Sequence, residues 1–304
     1  MTSDQEMLTI ARKNGLILQD TQVEINESGM DFRVAFAKDE EGISWVLRQP
    51  RRQDVYKRAV NEHHVLKLVQ NHLPVEIPNW RIFTEEIIAY PKLRGIPAAT
   101  MDIEAKAYKF QIDHQALPAS FIDSLASTLA ALHGIDHEQA SSAGIRIQNP
   151  SEARESMIKR MDQIQCELGV SKALWERWQK WTSDDTYWPQ HSVLVHGDLH
   201  PPHILIDIDN RVSGLLDWTE AEVSNPATDF VLYYAIFGEI ALDALLKKYH
   251  AAGGRIWPRM REHIIEQWAA YPVLIAMFAL TTGKKEDIEM AQVALGVLPS
   301  EEKS

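Results

Sequence analysis

The chain has 304 residues, about twice the ~150 of a common domain, and is 45% hydrophobic and 24% charged, so one large domain or two lobes can bury a sizeable core. A formal charge of -12 argues against a nucleic-acid partner, whose phosphates call for clustered Lys and Arg, and suits a cationic ligand better. The single cysteine, Cys166, excludes an internal disulfide, and residues 1–18 are polar, without the apolar core of a secretion signal, so a cytoplasmic protein is expected.

In chain order, residues 21–25, 32–37 and 43–47 read as strands, separated by turn-forming segments at 27–31 and 38–42. A helix is predicted over 55–73, where Ala59, Glu62, Leu66, Val69 and Leu73 share one face. Glu62 is the exception on that stripe, and a carboxylate facing inward needs a partner because an unpaired buried charge is costly. Beyond Tyr90 the pattern turns helical. Phe121, Leu125, Leu129 and Leu132 form one stripe ending at Gly134, and 151–181 and 242–280 read as further helices with tryptophans facing core or pocket. The apolar run 269–280 contains Pro272 and falls short of the ~20 residues of a membrane span, so a buried helix or pocket wall is expected there. Between these helices, residues 193–216 are rich in strand formers.

That island carries the chemistry. His196-Gly197-Asp198-Leu199-His200-Pro201-Pro202-His203 precedes an apolar strand, a turn at Asp209-Asn210 and a second strand that ends at Asp217. An antiparallel return brings Asp217 beside the preceding loop and gathers two carboxylates and an imidazole in one cleft. The spacing is that of the protein-kinase signature. There, the Asp that orients the attacking hydroxyl is followed five residues later by a metal ligand, and a second Asp on the next hairpin holds magnesium. Asp198, His203 and Asp217 stand in those positions. Imidazole is a poorer magnesium ligand than oxygen, so His203 either binds metal directly, acts through water, or belongs to a site that also takes manganese.

Small-molecule kinases carry His-Gly-Asp where protein kinases carry His-Arg-Asp, and this chain resembles them. Only eleven residues separate Asp217 from Asp229, leaving little room for a peptide-docking segment. Val-His-Gly-Asp-Leu-His-Pro-Pro-His-Ile-Leu at 195–205, Leu-Asp-Trp-Thr-Glu-Ala at 216–221, Trp-Val-Leu-Arg at 45–48 and Pro-Arg-Arg at 50–52 are similar to the macrolide 2'-phosphotransferases, a resemblance that reaches to about Gly283. It implies an α+β, two-lobed protein-kinase-like fold. Residues 1–90 would form a small antiparallel sheet with one helix that clamps the nucleotide, and 91–304 a larger, mainly helical lobe for catalysis and substrate binding.

The resemblance further implies GTP as donor, with ATP usable, Mg2+ as the metal, and the 2'-hydroxyl of a macrolide amino sugar as acceptor, the antibiotic being inactivated. Asp198 would be the catalytic base, with Asp217 and His203 at the metal. Arg48 stands where related kinases have a phosphate-binding Lys, paired to Glu62; a purely structural pair is the alternative. Ser28, in the 28–31 turn, would cover the phosphates, and Ile88 and Tyr90 would present backbone to the purine. His196 and Asp229 are structural candidates, Asp229 bracing the catalytic loop or capping a helix. Glu220 and Glu222 are candidates for the dimethylammonium, or else solvated loop carboxylates. Tyr271, Met277 and Phe278 are candidates for the apolar wall, while His200 reads as a surface or supporting residue.

Three other functions compete. One is a kinase of the same fold acting on an aminoglycoside or small amino alcohol. Another is a zinc hydrolase built on His196, Asp198, His200 and His203. The third is a nucleotide-binding module without catalysis, which has no need of Asp198 and Asp217. No protein, nucleic-acid or membrane partner is expected.

Overall fold

A computed structural model describes residues 3–20, 23–27, 31–102, 105 and 107–299. The first part comprises helix α1 (Ser3–Lys13), strands β1 (Glu24–Asn26), β2 (Phe32–Lys38) and β3 (Ser44–Pro50), helix α2 (Gln53–Val69), and strands β4 (Ile82–Phe83) and β5 (Ile88–Pro91). These strands form one antiparallel sheet in the order β1-β2-β3-β5-β4. Alternation along each strand separates its faces. Ala35, Ala37, Leu47 and Ala89 pack with Met7, Leu8, Ile10 and Ala11 of α1. Phe32, Val46, Ile88 and Tyr90 pack with Val55, Ala59, Leu66 and Val69 of α2.

The sheet is therefore served by two helices, where the sequence predicts one and leaves residues 1–18 as a polar end. An isolated helix of eleven residues is marginal in water, and α1 is stabilised by the sheet face that it covers.

The chain continues through β6 (Ile96–Pro97), β7 (Ala99–Asp102), β8 (Ala107–Phe110), α3 (Ala119–His133), α4 (His137–Ser142), α5 (Pro150–Glu167) and α6 (Lys172–Ser183). Then come β9 (Val193–Val195), β10 (Ile204–Ile206), β11 (Val212–Leu215), β12 (Glu222–Ser224), α7 (Thr228–Ala251), α8 (Met260–Ala269), α9 (Pro272–Thr282) and α10 (Lys285–Ala294). Strands β6–β8 replace the helical pattern expected directly after Tyr90. The first pairs with β10 and the other two form a hairpin, so their register comes from distant partners rather than from local periodicity.

The predicted α3 stripe is buried throughout and packs on α7. The helix expected over 151–181 is two helices. Asn149 and Glu152 make a reciprocal capping box at the start of α5, and the chain turns at Gly169, whose φ of 77° lies in the left-handed region that glycine enters without strain.

Residues 260–282 reach the length and apolarity of a membrane span, which the shorter run read from sequence does not. Pro272 sits in the first turn of α9 and separates it from α8, and Ile264, Val273, Ala276 and Ala279 of the two helices are buried inside the protein.

Candidate active site

The loop after β9 is held from two directions. Strand β12 pairs with β9, Glu222 opposite Val195, which lays residues 217–222 along the 196–200 loop. Gly197 adopts φ 86°, and a Cβ there would stand 2.4 Å from the Glu220 carbonyl oxygen, so the crossing requires glycine. On the other flank the Asp229 carboxylate accepts the backbone N–H groups of His196 and Gly197, each at 2.9 Å. His133 Nε2 lies 3.1 Å from the same carboxylate, and its Nδ1 is 2.8 Å from the Tyr249 hydroxyl. The cap position of α7 is Ala227, without a side-chain bond, so Asp229 serves the loop rather than the helix end. Burial raises the Asp229 carboxyl, but His133, His196 and the Gly197 N–H outweigh it and hold the group below its ordinary range.

His196 is fully engaged in the same support. Its Nε2 donates to the Leu216 carbonyl at 2.9 Å and its Nδ1 faces the Asp198 N–H at 3.4 Å, while burial pushes its pKa down. Neither nitrogen is left for a metal, which removes His196 from the four-residue zinc cluster that the sequence allows. Asp198, His200 and His203 do cluster, each offering a ligand atom within 4.8 Å of the others.

Asp198 and Asp217 face the cleft with side chains 42% and 44% exposed, open enough to meet a ligand. Asp217 follows β11, where the Leu216 N–H donates to the His203 carbonyl at 2.9 Å and completes the antiparallel return. Its backbone is left-handed, φ 59°, a region that Asp tolerates better than most residues. Enclosure raises the Asp217 carboxyl, yet Arg48, His203 and the Thr219 hydroxyl overcome this and hold it at about 2.

His203 Nδ1 donates to the Asp198 carbonyl at 2.9 Å, which leaves its Nε2 lone pair facing Asp217 Oδ2 at 3.9 Å. An imidazole nitrogen and a carboxylate oxygen so placed could hold a divalent ion, and the imidazole makes this donor set better suited to manganese than to magnesium. Beside them, His200 Nδ1 lies 2.9 Å from the Tyr108 hydroxyl of β8, and burial, aided by His203, lowers its pKa to about 4.

Behind this loop, α2 and β3 form a buried polar chain. Arg48 Nη1 donates to Glu62 Oε1 at 2.8 Å, and its guanidinium lies 4.0 Å above the Phe32 ring. The Thr219 hydroxyl is 3.2 Å from the other Glu62 oxygen and 2.8 Å from Asp217 Oδ1. Two further contacts tie α2 to the same segment. Asn61 Nδ2 donates to the Ala221 carbonyl at 2.9 Å, and Arg58 stands 3.8 Å from Glu220. Burial raises Glu62 against the opposing pull of Arg48, and it tends to lower Arg48, whose carboxylate neighbours hold it raised and charged.

Ile88 and Tyr90 lie on β5, opposite Arg48 and Val46 of β3. At Ile88 the strand is paired on both sides, with β3 and with β4, so its backbone belongs to the sheet rather than to a free linker edge. Tyr90 is buried, and that burial raises its hydroxyl to about 12. Ser28 lies outside the described residues; its neighbour Asp31 pairs with Arg52 and Arg58 at 2.9 and 2.8 Å.

A cavity of about 380 Å³ opens beside Asp198. Its wall includes Glu220, Glu222 and Tyr271 together with Met157, Trp181 and Trp188. Met277 and Phe278 lie outside it: one helical turn beyond Leu274, Met277 packs into the helical core and Phe278 is 38% exposed. Glu222 is ion-paired to Arg146, and burial raises both Glu220 and Glu222, opposed by Arg58 and Arg146 respectively. Thr219, Tyr108, Arg146 and Arg160 were not singled out from sequence. Thr219, two residues after Asp217, stood within a recognised motif. The other three come from β8, from the segment between α4 and α5, and from the body of α5, and no local pattern marks them.

Residues 22–263 match the sequence profile of the phosphotransferase enzyme family. The chain belongs to that family. It is a small-molecule kinase with the kinase-like fold of these enzymes. It is 52% identical over 292 residues to the uncharacterized protein YcbJ of Bacillus subtilis (strain 168), a match covering 96% of this chain and 95% of that one. The macrolide 2'-phosphotransferase MphH of Brachybacterium faecium, solved as the apoenzyme, superposes with a TM-score of 0.90 at 38% identity, covering 98% of this chain and all of that one. A macrolide 2'-phosphotransferase type I gives 0.89 at 38% identity, covering 97% and 98%.

Proposed function

We propose that this kinase transfers the γ-phosphoryl group of GTP or ATP to the 2'-hydroxyl of a macrolide amino sugar and so inactivates the antibiotic. The observation that carries the reading is Asp198 set in the wall of a cavity where Met157, Trp181, Trp188, Val231 and Leu274 offer an apolar surface for a bulky body beside the carboxylates Glu220 and Glu222, which suit a single ammonium. The macrolide kinases of the same fold at 38% identity support it.

Residues 1–90 act as the nucleotide-clamping lobe and 91–304 as the catalytic and acceptor lobe. Arg48, held by Glu62, positions the donor phosphates. Asp198 accepts the proton of the acceptor hydroxyl as its oxygen bonds to the γ-phosphorus, and the bond to the β-phosphate oxygen breaks to release the nucleoside diphosphate. His203 Nε2 and Asp217 would hold a divalent ion, which neutralises charge on the phosphoryl group. Glu220, whose Arg58 partner is at a distance, takes the dimethylammonium more readily than Glu222, which Arg146 already neutralises.

The test is a magnesium-dependent transfer assay with GTP and ATP as donors and erythromycin and kanamycin as acceptors, read by mass spectrometry. One added phosphate on erythromycin alone is expected; phosphorylation of kanamycin alone would replace the substrate class.

A further inference from the structure

His200 and His203 stand on either side of Pro201-Pro202, and the proposed transfer uses only the second of them. Residues 201–203 form one 3-10 turn, closed by the His203 N–H donating to the His200 carbonyl at 2.9 Å. The two prolines fix φ through the turn, and positions i and i+3 of such a turn lie one above the other, so both imidazoles fall on one side. Their ring centres are 4.2 Å apart. His200 Nε2 lies 3.9 Å from Asp198 Oδ2, and Asp198, His200 and His203 each offer a ligand atom within 4.8 Å of the others. Behind His200, the Tyr108 hydroxyl is 2.9 Å from Nδ1. Accepting the Nδ1 proton, it leaves the Nε2 lone pair toward Asp198, the support that a metal-bound imidazole takes from an oxygen behind it. All three side chains are partly exposed, so an ion can enter from solvent and keep a water.

We infer that Asp198, His200 and His203 form an inhibitory site for Zn2+, one that shares His203 with the pair proposed for the ion of the reaction but adds Asp198 and His200. Two imidazoles and a carboxylate, with water in the fourth place, are a set that zinc takes and that magnesium, which prefers oxygen, does not. Ligand atoms of a tetrahedral zinc site stand about 3.3 Å apart, so the 3.9 Å between His200 Nε2 and Asp198 Oδ2 has to shrink by only about 0.6 Å. Zinc bound there occupies the carboxylate that accepts the hydroxyl proton and draws His203 away from Asp217, so it stops transfer without touching the Arg48–Glu62 pair. The inhibition rests on the proposed role of Asp198; the binding does not.

Zinc binding is measured on the full chain without nucleotide, by competition with a chromogenic chelator, and Co2+ serves as a spectroscopic stand-in whose visible bands report a tetrahedral ligand set. Tyr108→Phe should weaken zinc binding by roughly 10-fold, the effect of removing the oxygen behind a metal-bound imidazole, and His200→Gln by more, with the metal-free thermal midpoint of His200→Gln near that of the wild type. A wild type that binds no zinc, or equal affinity in the wild type and His200→Gln, overturns the inference; equal affinity there with loss in Asp217→Asn would put the zinc on the His203–Asp217 pair instead. Phosphoryl transfer to whichever acceptor the chain takes is then followed in zinc buffers at saturating Mg2+, each protein against its own zinc-free rate. The zinc concentration for half-inhibition should rise in His200→Gln by the factor seen in binding. Zinc that binds through His200 yet leaves transfer untouched would overturn the inhibitory role and count against Asp198 as the base.

Discussion

The Arg48–Glu62 side of the cleft, proposed for the donor, and the cavity beside Asp198, proposed for the acceptor, treat their polar groups in opposite ways. On the donor side the chain supplies the partners itself: Arg48 with Glu62, and the Thr219 hydroxyl between Glu62 and Asp217. In the cavity wall, Arg160 makes no ion pair and Gln267 Oε1 no hydrogen bond among the described residues. A self-paired cluster is preorganised and does not rearrange when charge develops on a phosphate. The difference implies that substitutions on the donor side cost folding stability or donor affinity, whereas those facing the acceptor cost turnover or acceptor affinity.

The largest effect expected is on the donor side. Glu62→Ala leaves Arg48 buried without its partner and should lower unfolding free energy by about 3–5 kcal/mol, read by urea denaturation. A loss below about 1 kcal/mol would mean that water reaches the pair and that the contrast is overstated.

Facing the acceptor, Asp198→Ala should lower turnover at least ~10²-fold while nucleotide affinity and the thermal midpoint stay put. Near-normal turnover would remove Asp198 from its role.

Between the two stands Asp229, which belongs to the frame rather than to either ligand. Its carboxyl is lowered in the folded state, so its contribution is present above the ordinary carboxylate range and is lost as pH falls through the depressed value. Asp229→Asn should cost about 1.5–3 kcal/mol at pH 6, and the difference from wild type should shrink in acid. A gap that stays constant from pH 6 to pH 3 would contradict the assigned charge.

The smallest effect is at the bridge. Thr219→Val should weaken the apparent affinity for the magnesium–nucleotide complex by up to roughly tenfold and leave acceptor KM alone, with Thr219→Ser restoring it. A change in acceptor KM instead would place Thr219 on the other side of the comparison.

How much of this could be read from sequence varied with how local the cause was. Asp198, His203 and Asp217 were legible because a hairpin return is a short-range rule, and Glu62 because a lone carboxylate on an apolar helical stripe demands a partner. The expected free backbone edge at Ile88 gave way to double pairing in the sheet, since a strand's neighbours are not written in its own residues. Met277 and Phe278 share α9 with the wall residue Leu274 and follow Tyr271 at its cap, but only the depth at which α9 meets the cavity separates them.

From residue order alone came the α+β class, the catalytic loop and its hairpin, the paired Arg48 and Glu62, and the resemblance to antibiotic kinases. Each rests on spacing within a few residues or on a recurring motif. The packing of α1 on the sheet, the join of Thr219 to Glu62 across 157 positions, and the meeting of Arg160 and Gln267 in one wall were decided only by the tertiary structure. Such contacts depend on which faces come together when elements far apart in the chain bury their apolar stripes, and no local periodicity encodes that choice.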